Sequence, residues 1–246
     1  RAMSTRTIET FAGLRCHLIV PAGPVRAAVV LLHGFGAPGD DLVALADYLD
    51  LPAGTAVACP EAPLALSGLY GDARAWWMID LEALQRDQMR GVVRDRSAEV
   101  PDGLEPARAA VDGLIDQLEI RLGLAPGRVV LGGFSQGAML SLDVALHRTT
   151  AAGGDGTGLA GLVLMSGTLL ARDRWTPRLP RLAGVPVFQS HGRSDQLLPF
   201  AVAEHLADLL RTAGAGVEWQ AFAGGHEIPP PVLAGASRLI TRALAG

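Results

Sequence analysis

Residues 129–137 read Val-Val-Leu-Gly-Gly-Phe-Ser-Gln-Gly, an apolar run that meets a serine between glycines. The last five, Gly133 to Gly137, form a G-x-S-x-G pentapeptide. A serine on a sharp strand-to-helix corner needs neighbours without side chains on both flanks, so that the two backbones can approach closely. The turn would lift the Ser135 hydroxyl clear of a sheet. It would also set the Gln136 N–H beside that hydroxyl, at the start of a helix whose unpaired amides favour negative charge. In a chain with 30 glycines the pentapeptide also fits an ordinary turn, so its surroundings must decide.

Those surroundings are those of an α/β protein. A chain of 246 residues, 49% of them hydrophobic, can bury a large core, and α/β folds of this size are often a single domain, here expected over residues 1–246. The net charge of −4 and the lack of a long basic run argue against a nucleic-acid partner. No apolar run approaches the roughly 18 residues of a membrane helix. The first eleven residues carry no apolar signal-peptide core, so, unless a leader has been removed, a cytoplasmic location is expected. Cys16 and Cys59 lack C-x-x-C spacing and read as two reduced, partly buried thiols. All 21 basic residues are arginine. Without lysine there is no Schiff base, no Ser-Lys dyad and no P-loop lysine.

Along the chain, residues 7–20 alternate weakly around Gly13 and suggest an antiparallel edge hairpin. Residues 27–32 form a continuous apolar run, the mark of a strand buried on both faces in a mostly parallel sheet. It ends in His33-Gly34-Phe35-Gly36, where the Phe35 amide is a candidate oxyanion donor; an ordinary tight turn, with His33 bonding locally, is the other reading. Asp40 or Asp41 could cap a helix over 42–51, and 55–59 reads as the next strand. From about 60 to 105 the periodicity is lost. A connection this long is usually functional, commonly a lid or pocket wall. Leu69, Tyr70, Trp76, Trp77 and Met78 are candidates to line a substrate pocket, although Trp76 and Trp77 could equally anchor the loop on the core.

Beyond it come a helix over 106–122, the strand and elbow already described, a helix over 136–147 and strands over 159–166 and 186–190. His147, at the far end of its helix, reads as a favourable end-cap of the helix dipole. The irregular stretch 169–181 offers Trp175 as a further pocket wall, and Leu197 is another candidate. After the strand at 186 comes His191-Gly192-Arg193-Ser194-Asp195, and after a last strand over 217–222 comes Gly224-Gly225-His226. A serine, an aspartate and a histidine thus follow three strand ends in the order Ser135, Asp195, His226, which is the order of an α/β-hydrolase. Glu204, Asp208 and Glu218 are the competing carboxylates, and His226 could also be a surface histidine in a Gly-Gly turn.

Taken together, Leu32-His33-Gly34-Phe35-Gly36, Ala75-Trp76, the elbow, His191-Gly192 through Asp195 to Pro199, and Gly225-His226 resemble the phospholipase/carboxylesterase family of α/β-hydrolases, which includes bacterial carboxylesterases and acyl-protein thioesterases. The resemblance implies Ser135 as nucleophile, Asp195 as acid, His226 as base and the Phe35 and Gln136 amides as oxyanion donors. Ala138 departs from the glycine found in many members, and 78–105 is more charged than expected. The favoured activity is hydrolysis of small to medium acyl esters, with thioester or lysophospholipid cleavage as variants of the same chemistry. A serine peptidase or acyltransferase on the same fold, and a non-catalytic binding protein, are the alternatives. The chemistry asks for no cofactor, and His226-Glu227 lacks the second histidine of a zinc motif.

Overall fold

The sheet forms because apolar runs too continuous for a solvated face must be covered on both sides. In the computed structural model, which describes residues 4–66, 71–148 and 158–245, ten strands and six helices alternate along most of the chain. The strands are β1 (Thr5–Phe11), β2 (Leu14–Val20), β3 (Ala27–Leu32), β4 (Thr55–Pro60), β5 (Leu64–Ala65), β6 (Arg74–Ala75), β7 (Val129–Phe134), β8 (Gly161–Met165), β9 (Pro186–Gly192) and β10 (Gly216–Phe222). The helices are α1 (Leu81–Met89), α2 (Leu104–Leu122), α3 (Gln136–His147), α4 (Arg172–Trp175), α5 (Phe200–Thr212) and α6 (Pro230–Leu244). Eight strands make one sheet in the order β1-β2-β4-β3-β7-β8-β9-β10. It is parallel from β4 to β10, with β1 and β2 antiparallel at one edge. This is the expected mostly parallel α/β sheet with its N-terminal edge hairpin.

Two apolar layers cover the sheet. Leu114, Leu118, Leu140, Leu206 and Leu210 of α2, α3 and α5 pack on one face with Val30 and Leu131. Val232, Leu239 and Ile240 of α6 pack on the other with Val29, Val130 and Phe188. Cys16 and Cys59 sit on neighbouring strands, β2 and β4, as buried free thiols; burial pushes the Cys16 thiol up to about 12, which leaves it inert at neutral pH.

Two expectations are corrected. The helix expected over 42–51 is only a 3-10 turn, Val43–Asp47, and no side chain caps it, so Asp40 and Asp41 do not serve as caps. In 60–105 the charged stretch hides a regular element, α1, whose Glu82 and Arg86 pair one turn apart on a solvated face. Its apolar signal is weak because little of it is buried. The small-residue loop expected over 150–158 lies almost wholly outside the described residues, as do Leu69 and Tyr70.

β7 is the centre of this arrangement, and its glycines are a steric requirement. A Cβ at Gly132 would stand 2.6 Å from the Val163 carbonyl of β8, and one at Gly133 or Gly137 would overlap the Leu32 carbonyl at the end of β3. Adding one methyl, as in Gly137→Ala, must therefore push α3 away from β3. Such overpacking typically costs about 1–3 kcal/mol. We expect urea unfolding of Gly137→Ala to show at least that loss; a midpoint equal to that of the native chain would refute the close approach.

Three histidines add a pH dependence. His33 follows β3, His191 lies in β9 and His147 ends α3. Burial, against opposing carbonyl hydrogen bonds, holds each imidazole below the usual histidine range. An unfolded chain takes up protons on histidine near pH 6.5, which the folded chain refuses until lower pH, so the unfolded state binds more protons and stability falls on acidification from pH 7 towards 5. The limiting slope is about 1.4 kcal/mol per pH unit for each histidine. Asp195, held below the usual carboxylate range, contributes in the same direction but at lower pH, where the unfolded chain's carboxyl takes up a proton first. Unfolding free energies at pH 7 and 5.5 should show this decline, with a shallower slope for His33→Asn. Equal slopes would exclude His33 as a contributor.

Candidate active site

Ser135 sits between β7 and α3 with φ 55° and ψ −118°, a conformation few non-glycine residues adopt. The strain is held by hydrogen bonds on both sides. The Ser135 N–H donates to the Met165 carbonyl at 2.9 Å, and the Ser135 carbonyl accepts from Ala138 and Met139 at 3.0 and 3.1 Å. These anchor the residue to the end of β8 and to the first turn of α3. Because β3 and β7 pair in parallel, with Leu32 opposite Gly133, the loop after β3 emerges at the same edge as Ser135. Gly34 lies close enough that a Cβ on it would stand 3.3 Å from the Phe134 ring and 3.4 Å from the Ser135 Cβ.

That loop carries Phe35. Its ring packs on Leu66, Ala73 and Ala75, and the flanking chain pairs with β6 through Gly36 N–H to Arg74 O at 2.9 Å and Arg74 N–H to Ala37 O at 3.0 Å. Behind the loop, the buried Glu61 carboxylate takes Arg15 at 2.9 Å, His17 at 3.0 Å and Arg74 at 3.2 Å. His33 Nε2 accepts from the Ala62 N–H at 3.0 Å, which leaves the proton on Nδ1, where it donates to the Gly34 carbonyl at 2.8 Å. Among the described residues, the Phe35 and Gln136 N–H groups have no acceptor. The Gln136 N–H directly follows the serine at a helix N-terminus, where an anion is favoured, and Phe35 follows Gly34, the residue that lies against Ser135.

Asp195 and His226 meet across two loops. His226 Nδ1 lies 2.7 Å from Asp195 Oδ2, and the second oxygen, Oδ1, accepts from the Leu197 and Leu198 N–H groups at 2.8 and 2.9 Å. Burial alone would raise the Asp195 carboxyl, but the His226 hydrogen bond and charge and the two backbone donors outweigh it and hold the group below the usual carboxylate range. The loops approach because Gly192 has no side chain: a Cβ there would overlap the Gly224 and Gly225 carbonyls. Ser194 N–H to Gly224 O, 2.9 Å, ties them together. The Phe134 ring, just before the serine, packs on the His226 imidazole at 4.7 Å between centroids. An imidazole whose Nδ1–H donates to a carboxylate keeps Nε2 free as a base.

The pocket candidates divide. Met78 is 56% exposed, and Leu197 is half-buried beside Asp195. Trp76 and Trp77 are almost wholly buried, as the loop-anchor reading has it. Trp175 is corrected: it is fully buried against α3, its indole donating to Asp143 at 2.8 Å, and has no surface to offer a ligand. Glu204, Asp208 and Glu218 show no contact with His226; Asp208 pairs with Arg211 and Glu218 with Arg242. The sequence reading missed His191, fully buried, whose Nε2 stands 3.3 Å from Asp195 Oδ2 and 3.1 Å from the Leu198 carbonyl. Its only signal was its place in the His-Gly pair four residues before the aspartate.

The fold recurs in known proteins. The family model described as phospholipase/carboxylesterase matches residues 15–243. An acyl-protein thioesterase 1 of Gibberella zeae is 29% identical over 224 residues, covering 88% of this chain and 90% of that protein. A probable carboxylesterase of Oryza sativa subsp. japonica is 30% identical over 209 residues, covering 82% of this chain and 72% of that one. Among solved structures, esterase PE8 superposes with a TM-score of 0.75 at 26% identity, over 99% of this chain and all of the other. Acyl-protein thioesterase 2 of Zea mays gives 0.67 at 25% identity, over 94% and 99%. With its sheet order, its serine elbow and a match over nearly its whole length, the chain belongs to the phospholipase/carboxylesterase family of α/β-hydrolases and is an ester-hydrolysing enzyme.

Proposed function

We propose that the chain is a carboxylester hydrolase working through an acyl-enzyme on Ser135, with His226 as base and Asp195 as its partner. The observation that carries this reading is the 2.7 Å contact between His226 Nδ1 and Asp195 Oδ2, on loops that bring the imidazole against Phe134, next to the strained Ser135. A serine hydroxyl is a poor nucleophile at neutral pH. As Ser135 Oγ attacks the carbonyl carbon, its proton passes to His226 Nε2, and Asp195 stabilises the imidazolium that results. The carbonyl oxygen becomes an oxyanion and takes the Phe35 and Gln136 N–H groups. When the intermediate collapses, the bond to the leaving group breaks and His226 returns the proton to the departing alkoxide. Water then attacks the acyl-enzyme, gives its proton to His226, and the acid leaves as Ser135 Oγ is reprotonated.

Small to medium acyl esters are the proposed substrates. A thioester is a second reading, favoured by the similarity to proteins named acyl-protein thioesterases in Gibberella zeae and Zea mays. Thioesters undergo the same steps with a thiolate leaving group.

The test pairs fluorophosphonate labelling with hydrolysis of p-nitrophenyl esters of increasing acyl length and of an S-acylated cysteine peptide. Ser135→Ala should lose labelling and drop kcat by about 10^4- to 10^6-fold, and Asp195→Asn by about 10^3- to 10^4-fold, in folded proteins. Turnover by Ser135→Ala at the native rate would eliminate the mechanism. A marked preference for the S-acyl peptide would select the thioester reading.

A further inference from the structure

The two proposed oxyanion donors lie on different loops, and an oxyanion hole works only if its donors are held in place before charge develops. Between them runs a short chain of buried hydrogen bonds. Gln136 is 2% exposed, and its side-chain oxygen accepts from the Trp76 N–H at 2.9 Å while its side-chain nitrogen donates to the Trp77 carbonyl at 2.9 Å. Trp76, 1% exposed, donates its indole N–H to the His33 carbonyl at 3.0 Å. Its indole also lies against the His33 ring, 5.6 Å between centroids. His33 is two residues from Phe35, and its imidazole holds the Gly34 carbonyl, which belongs to the same peptide unit as the Phe35 N–H. Fixing that carbonyl fixes the direction of the N–H opposite it.

We propose that the Gln136 side chain and Trp76 are positioning residues of the oxyanion hole, a bridge that sets the separation and aim of the Gln136 and Phe35 amides. Gln136 then has two tasks. Its backbone N–H faces the substrate, and its side chain, pointing away, fastens the segment after β6 that in turn holds the loop after β3. Each polar atom of the bridge is buried and singly matched, so removing one leaves its partner without a substitute. This inference rests on the serine-hydrolase reading above, since only an oxyanion mechanism makes the spacing of these amides matter.

Trp76→Phe keeps a ring and removes the indole donor, and Gln136→Met keeps length while removing both side-chain bonds. A misaimed donor stabilises the transition state less and leaves ground-state binding almost alone, so kcat should fall about 10- to 100-fold with KM within about threefold. The inhibition constant of an alkyl boronic acid, whose serine adduct places an oxygen in the hole, should rise in parallel. Variants that melt at lower temperature while keeping native kcat and native boronate inhibition would reduce the two residues to core packing and overturn the proposal. Should Trp76→Phe fail to fold, Gln136→Met, which leaves the indole in place, carries the kinetic test. If neither variant folds, exchange of the Trp76 indole proton in the native protein decides: protection that deepens in the boronate adduct supports the bridge, and exchange at the rate of free indole overturns it. A native chain that neither labels with fluorophosphonate nor hydrolyses any ester would instead sink the parent reading, so the two failures are distinguishable.

Discussion

Everything at the edge that carries Ser135 depends on one close approach, that of the Leu32 carbonyl at the end of β3 to the Gly133–Gly137 corner between β7 and α3. At that separation there is room for hydrogens and none for a Cβ. The approach drives Ser135 into its positive-φ conformation and starts α3 immediately behind it. It also brings the loop after β3 alongside the serine, with Gly34 against the Ser135 side chain. The energy of that strained residue is offset by hydrogen bonds to β8 and α3 and by the apolar layers over both faces of the sheet.

A second approach by the same device completes the edge. Gly192 lets the loop after β10 lie against the loop after β9, which brings Asp195 and His226 within hydrogen-bond distance although 31 residues separate them. The carboxylate is fully satisfied. Two backbone N–H groups fill one oxygen, and the two imidazoles of His226 and His191 face the other. A buried carboxylate that accepts from His226, Leu197 and Leu198 stays ionised and cannot rotate without losing these bonds. The imidazole it holds is therefore fixed both in tautomer and in direction.

Much of this was legible along the chain. Strand ends, glycine pairs and chain order located Ser135, Asp195 and His226, because a parallel sheet sends every strand end with a crossover to the same edge, and a residue's distance from that edge can be counted along the sequence. The long charged stretch before α2 was less legible. Periodicity reports burial, and α1 buries little, so its helix left almost no pattern. The helix expected over 42–51 failed for a related reason: its apolar residues serve a 3-10 turn packed on the sheet, where hydrogen bonds of a different period suffice.

The sequence by itself determined the fold class, the order of the strand-end residues and the reaction chemistry they allow, since these depend on local spacing and residue type. Only the tertiary structure decided what the large buried side chains do. Trp175 became a core residue bonded to Asp143, Trp76 a bridge between two loops, and His191 a second imidazole on Asp195. The partners of Trp76 lie 43 and 60 residues away, and that of Trp175 lies 32 away. A tryptophan's hydrophobicity says only that it will be buried. The identity of the acceptor its indole meets is set by the strand order and by which loops the glycines allow to touch, and neither is encoded in any window of sequence around it.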